Sequence, residues 1–225
     1  MRASGVQDHG VQEHGAIKMN YSTLVTNIKN FMEDDSTELD ASINEIIKQA
    51  EEMIFQRLPS LPCFRTSASG TLVVGTSDYV IPSARMIRQV SVTSSNNVIY
   101  LDHRIDSYLR DYWPNATTTA TPEIYSTKSS STAGITITLA PTPSSTLSYQ
   151  ADFIAPETGL SSSNTTSWIG DNAEAVLLAS ALYETSALLK APETLSLYKA
   201  QFDEAVGLFQ QEMSRNYSAE YNGGI

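Results

Sequence analysis

Seven apolar side chains, Ile43, Ile46, Ile47, Ala50, Met53, Ile54 and Leu58, recur three or four positions apart and stop where Pro59 and Pro62 begin. Residues spaced this way line one face of an α-helix. Proline ends such a run because it lacks an N–H and clashes with the preceding turn. Ser42 and Glu45 have the spacing of a capping box, so a helix is expected over SINEIIKQAEEMIFQRL, after the polar break DDSTELD. A shorter helical pattern precedes it. Tyr21–Met32 carries Leu24, Ile28 and Phe31 behind Ser22 and Thr23, which suit a cap.

An apolar stripe needs something to pack against, and the other end of the chain supplies it. After Trp168 the sequence reads GDNAEAVLLASALYETSALLK, with Asp171 or Asn172 as its expected cap. This segment is apolar nearly all round, which implies burial on several sides and hints at neighbouring subunits. Ala191-Pro192 interrupts it, and Pro192 suits the first position of a last helix. That helix shows Leu195, Tyr198, Phe202, Ala205, Phe209 and Met213 on one face, and the short break predicts an antiparallel hairpin.

Between the helical ends the period changes. Met86–Thr93 and Val98–Leu101 flank SSNN, a plausible hairpin turn. Ile135, Ile137 and Leu139 alternate with threonine, and Leu147, Tyr149, Ala151 and Phe153 alternate with Ser148, Gln150 and Asp152. Such alternation describes half-buried strands. IDSYLRDYWP reads as a short helical turn ending before Pro114. The expected fold class is therefore α+β: terminal α-helices forming a small helical bundle, with an inserted antiparallel β-sandwich or barrel. The expected divisions are a polar extension over 1–18, N-terminal helices over 19–62, and the β-domain over 63–155. A loop over 156–170, a helical hairpin over 171–213 and a tail over 214–225 complete the chain.

Charge narrows the function. Of 225 residues, 14 are Lys or Arg and 25 are Asp or Glu, a formal net charge of −11. Such a chain repels nucleic acid unless it hides a basic patch, and Arg85, Arg88, Arg104 and Arg110 are diluted by Asp102, Asp106 and Asp111. Tight nucleic-acid binding is not expected, but a ring that lets DNA pass without gripping it is compatible. Cys63 is the single cysteine, so no intramolecular disulfide forms. No apolar run reaches membrane-spanning length, and no apolar leader segment stands at the start.

Catalytic and metal-binding patterns are absent: no GxSxG elbow, P-loop or GxGxxG occurs. Glu33, Asp34 and Asp35 form an acidic cluster, and Asp102 precedes His103, but neither stands beside a nucleophile. Near-identical copies VQDHG and VQEHG open the chain at Val6–Gly10 and Val11–Gly15. His9 and His14, five positions apart, turn away from each other on a helix and fall on opposite faces of a strand. A polar arm is therefore the simpler reading than a shared metal site. Met19 opens a stretch that reads like a natural start. The expectation is no enzyme activity, no catalytic residue, no cofactor and no metal. A β-sandwich binding module of adhesin or lectin type, using Tyr108, Tyr112 and Trp113, is the alternative. A hydrolase built on Asp34, Asp35 or His103 is the remaining one.

The order of several stretches adds a resemblance. AEEMIFQRL at 50–58, running into a proline-rich loop, resembles the second-helix signature of phage head–tail adaptor (connector) proteins. These include the SU10-like adaptor and, more distantly, the tail tubular gatekeeper of T7-like phages. RQVSV with YLDHRIDSYLRDYWP, TPEIYS, ITLAPTPSSTLSYQADFIAP and the final helical pair follow in that family's order, over Met19 to Glu212. One departure is Met53, where many relatives carry arginine. The resemblance implies a structural virion protein that forms a ring, commonly dodecameric, beneath the portal protein. Such a ring connects capsid to tail, contacts tail or nozzle proteins and continues the DNA channel without sequence-specific contact. It implies a place at the head–tail junction of the virion, after synthesis in the host bacterial cytoplasm, with no membrane. Phe209, Met213, Tyr217 and Tyr221 are the candidate portal contacts, because they set apolar and aromatic surface at a polar terminus.

Overall fold

A computed structural model describes residues 18–130 and 133–222, with side chains through Asn216. In chain order the helices are α1 (Tyr21–Met32), α2 (Thr37–Arg57), α3 (Asp106–Tyr112), α4 (Trp168–Asn172), α5 (Glu174–Leu188) and α6 (Pro192–Asn222). The strands are β1 (Arg65–Thr71), β2 (Asp78–Pro82), β3 (Met86–Ser94), β4 (Asn97–Tyr100) and β5 (Asp102–His103), then β6 (Thr119–Ala120), β7 (Ile124–Ser129), β8 (Gly134–Ala140), β9 (Thr142–Pro143) and β10 (Ser148–Ile154). The protein is α+β, with helices at both ends flanking a β region. It divides into two compact units: the chain up to Ile46 with that from Leu160 on, and Ile47–Gly159. The VQDHG–VQEHG repeat lies outside the described residues.

In the helical unit α1, α2 and α4 start at side-chain caps, none of them the one the sequence pattern suggested, and α5 starts at Ala173 without one. Asn20 Oδ1 accepts the Thr23 N–H at 2.9 Å, so Ser22 and Thr23 lie inside the first turn of α1. Ser36 Oγ accepts the Leu39 N–H at 3.2 Å, and α2 starts at Thr37. Ser42 is therefore interior to the helix rather than its cap. The reason is Leu39, which is fully buried and extends the apolar stripe one turn upstream. Ser167 caps α4 by accepting the Gly170 N–H at 3.0 Å, and Asp171 and Asn172, the expected caps of the long apolar helix, lie within α4 rather than at the start of α5. Pro192 is the first residue of α6, which continues through the expected tail as far as Asn222. α5 packs against α6 and α1. Val176, Leu177, Ala179, Ala181 and Leu182 of α5 are buried within this chain, which already accounts for much of its all-round apolarity.

The β unit is a sandwich. One sheet has the order β1-β10-β3-β4 and the other β2-β8-β7-β5. Both contribute to one core, with Val90, Val92, Ala151 and Phe153 from the first and Ile81, Tyr125, Ile137 and Leu139 from the second. β3 and β4 join through Ser95 and Asn96, whose φ values of 50° and 64° make the mirror-image turn that suits twisted strands. The sandwich is antiparallel as expected apart from two short pairs. β5 pairs with β7, and β6 with β9, in parallel over two residues each. These short pairs tie the excursion through α3 back to the sandwich, which antiparallel hairpins alone do not do. The second half of α2 belongs to this unit: Phe55 meets Phe64 edge to face at 4.9 Å. Arg85 reaches both carboxylate oxygens of Glu52 at 3.1 and 3.2 Å.

Candidate assembly surfaces

Most of the side chains considered for catalysis have identifiable partners in the fold. Glu33 closes α1 in the left-handed conformation at φ 51°. Asp34 Oδ1 accepts the Ser36 N–H at 2.8 Å, and that backbone bond, with one from the Ser36 side chain, holds its carboxyl below the usual range. The acidic cluster is thus the linker that turns the chain into α2. His103 lies exposed on β5 with its ring 5.0 Å from that of Tyr125, and Thr127 Oγ1 is its hydrogen-bonding neighbour at 3.5 Å. Asp102 pairs with Arg104 at 3.2 Å, not with the imidazole. Burial, with the charge of Glu157 adding to it, pushes the Cys63 thiol up to about 12. Such a group is a packing residue with almost no thiolate. No cluster of three or more metal-ligating side chains occurs among the described residues. No helix among them is long and apolar enough to cross a membrane.

What the surface does offer is uncovered apolar area. In the β unit, Ile105 is 70% exposed just before α3, and Tyr100 is 64% exposed on the edge strand β4. Tyr108 and Tyr112 stack on α3 with centroids 6.1 Å apart and planes 10° from parallel, and the Arg104 guanidinium lies 5.7 Å from the Tyr108 ring. The Tyr112 hydroxyl donates to Glu123 at 3.0 Å, which raises its pKa. Trp113 Nε1 donates to the Thr118 carbonyl at 2.9 Å. The three aromatics of IDSYLRDYW therefore have different settings, two exposed on a helix face and one tied to the following loop.

The helical unit carries a groove of about 1270 Å³ between α5 and α6, with Phe31 of α1 at its wall. Phe31 is 57% exposed and Leu208 60% exposed, although the helical period alone predicted Phe31 to be inside. α1 ends one residue later, so nothing follows to cover that ring. Of the four residues proposed for portal contact, Phe209 is buried against Trp168, their ring centroids 6.4 Å apart. Met213 is half-buried on the same helix, and Tyr217 and Tyr221 continue that helix with side chains beyond the described set. The apolar residues that sequence reasoning missed as surface features, Leu208 and Ile105, carry no signal of their own. A single leucine or isoleucine beside a helix stripe looks like core until the packing is known.

Comparison with known proteins finds that the family model described as SU10 adaptor protein matches residues 19–223. No curated protein matches the chain.

Proposed function

Since the chain belongs to the SU10 adaptor protein family over residues 19–223, we propose that it assembles into a ring beneath the portal. There it connects capsid to tail and continues the DNA channel. Family membership makes it a structural phage adaptor protein. The single observation that carries the proposal is the extent of the family match, which runs through both the helical and the β unit. In this reading twelve copies close the ring at the neck of the virion. Head-to-tail contacts form a closed ring when the rotation between subunits fits.

Two physical features support it. A net charge of −11 keeps passing DNA from adhering to the channel wall. Exposed Ile105, Tyr100, Leu208 and Phe31 give each subunit apolar surface for neighbours to cover. The portal meets the C-terminal part of α6, through Met213, Tyr217 and Tyr221 on a helix anchored by Phe209. The β unit faces the tail and its nozzle proteins. DNA passes without sequence-specific contact.

Co-expression with the cognate portal protein, followed by mass measurement by light scattering, tests this. The expected result is a portal-bound ring with one adaptor for each portal subunit. A monomer that ignores the portal, in a particle whose neck lacks this chain, overturns it. The stacked Tyr108–Tyr112 pair supports a second reading, a carbohydrate-binding face, which a glycan array on the full chain checks.

A further inference from the structure

The two sheets of the sandwich treat their open edges differently. An edge strand presents unpaired N–H and C=O groups, and proteins usually blunt it with charge, proline, a bulge or extreme shortness. The second sheet does so at both edges: β2 runs from Asp78, which pairs with Lys128, to Pro82, and β5 is only Asp102–His103. The first sheet leaves its edges plain. β1, RTSASGT, has no proline and no charge after Arg65, and its register with β10 is unbroken. β4, NVIY, is shorter but equally uncharged, with Val98 55% and Tyr100 64% exposed.

Hydrogen-bond alternation tells which groups face outward. The Leu72 N–H donates to the Leu147 carbonyl, and the Ala155 N–H donates to the Phe64 carbonyl. Even-numbered residues of β1 therefore bond to β10, while Arg65, Ser67, Ser69 and Thr71 turn their backbone groups to the open edge. On the far side the Leu101 N–H donates to the Val90 carbonyl, so Ile99 bonds inward and Val98 and Tyr100 turn outward.

Every neighbouring pair in this sheet is antiparallel, so β1 and β4, three places apart, run in opposite directions. A second copy, placed alongside by rotation about an axis along the strands, brings its β1 antiparallel to this β4. Tyr100 then stands opposite Ser67 of the next copy and Val98 opposite its Ser69, outward groups meeting outward groups. The same register brings the exposed Arg65 of the next copy toward Asp102, whose exposed carboxylate already holds Arg104. Pairing β1 with another β1 leaves Val98 and Tyr100 bare.

We propose that β4 of one subunit adds to β1 of the next, so that this sheet runs on from copy to copy. The assignment rests on the ring reading and names a contact that closes the ring.

Amide hydrogen exchange on the portal-bound ring of the full chain tests it. The amides of Ser67, Ser69, Val98 and Tyr100 should exchange at least about a hundredfold more slowly than in an unstructured peptide, as paired amides do. A ring whose edge amides stay fast overturns this proposal and leaves the ring reading standing, whereas a chain that forms no ring overturns both. Slow exchange at one edge alone assigns it to a strand of a different protein, which also overturns the proposal. Charge reversal supplies a second arm, read by light scattering. Arg65→Glu should lower the ring fraction about tenfold, and adding Asp102→Arg should restore most of it. A double variant no better than Arg65→Glu alone counts against the contact. Val98→Pro removes only an outward N–H, which edge strands tolerate, so the subunit should fold and fail to close the ring. A folded Val98→Pro chain that still closes the ring overturns the proposal.

Discussion

The indole of Trp168 and the ring of Phe209 meet edge to face, with centroids 6.4 Å apart and planes 73° apart. The contact fastens α4 to the middle of α6. It separates the four proposed portal contacts into one that holds the helix and others that extend beyond it.

Phe209→Ala should therefore destabilise the helical unit by about 3 kcal/mol, the usual loss for a buried aromatic ring. Tyr217→Ala with Tyr221→Ala should weaken portal capture while leaving the melting curve within about 0.5 kcal/mol of the parent. Urea unfolding and portal pull-down on the same variants check this. Normal capture by the double tyrosine variant would move the contact elsewhere.

The start of α2 gives a sharper comparison. Ser36→Ala removes the side chain that accepts the Leu39 N–H, and should cost about 1 kcal/mol. Ser42→Ala lies within the helix and should change stability by no more than about 0.5 kcal/mol. Chemical denaturation distinguishes them, and a larger loss at Ser42 would mean that the helix begins later.

Asp78 links the sandwich to pH. Partial burial by itself would raise its carboxyl, but hydrogen bonds from Lys128 and Thr138, each 2.7 Å, outweigh that and hold it below the usual range. A lowered folded-state pKa means stability that is fully present above the unfolded value near about pH 4 and lost as pH falls through the folded value. Asp78→Asn should cost roughly 0.5–1 kcal/mol at neutral pH, the ordinary worth of an exposed ion pair. The difference from the parent should vanish in acid. A gap that persists at low pH would point to packing instead.

Cys63 should resist alkylation in the folded protein. With its thiol pushed up to about 12, the thiolate fraction at pH 8 is smaller by about a thousandfold than that of a free cysteine near 8.5. Iodoacetamide labelling should be at least about a hundredfold slower before unfolding than after it. The linkage has the opposite sign to that of Asp78. Its contribution is intact below the unfolded pKa and falls away as pH rises toward the folded one.

Much of this fold was legible because periodicity reports burial directly. The α1 and β8 segments, the start of α6 and the Ser95–Asn96 hairpin follow from spacing and turn chemistry alone. The helix caps were not legible, since Ser36 and Ser42 are chemically alike and only the burial of Leu39 decides between them. The parallel β5–β7 and β6–β9 pairs are two residues long, too short to leave any alternation. The assembly surfaces were the least legible. Whether Phe31, Leu208 or Ile105 is covered depends on where neighbouring helices end, which no local pattern encodes.

The insertion of the β unit between Ile46 and Leu160 has a temporal consequence. On a ribosome α1 emerges long before α5, its eventual partner. A long unstructured connection would make that closure entropically slow, whereas a sandwich already folded from Ile47 to Gly159 shortens the effective loop. The helical unit is thus the last part to mature, so the groove and the end of α6 come into being only when the rest of the subunit is complete. Order of synthesis becomes a form of quality control: a truncated or stalled chain never presents that face to a partner.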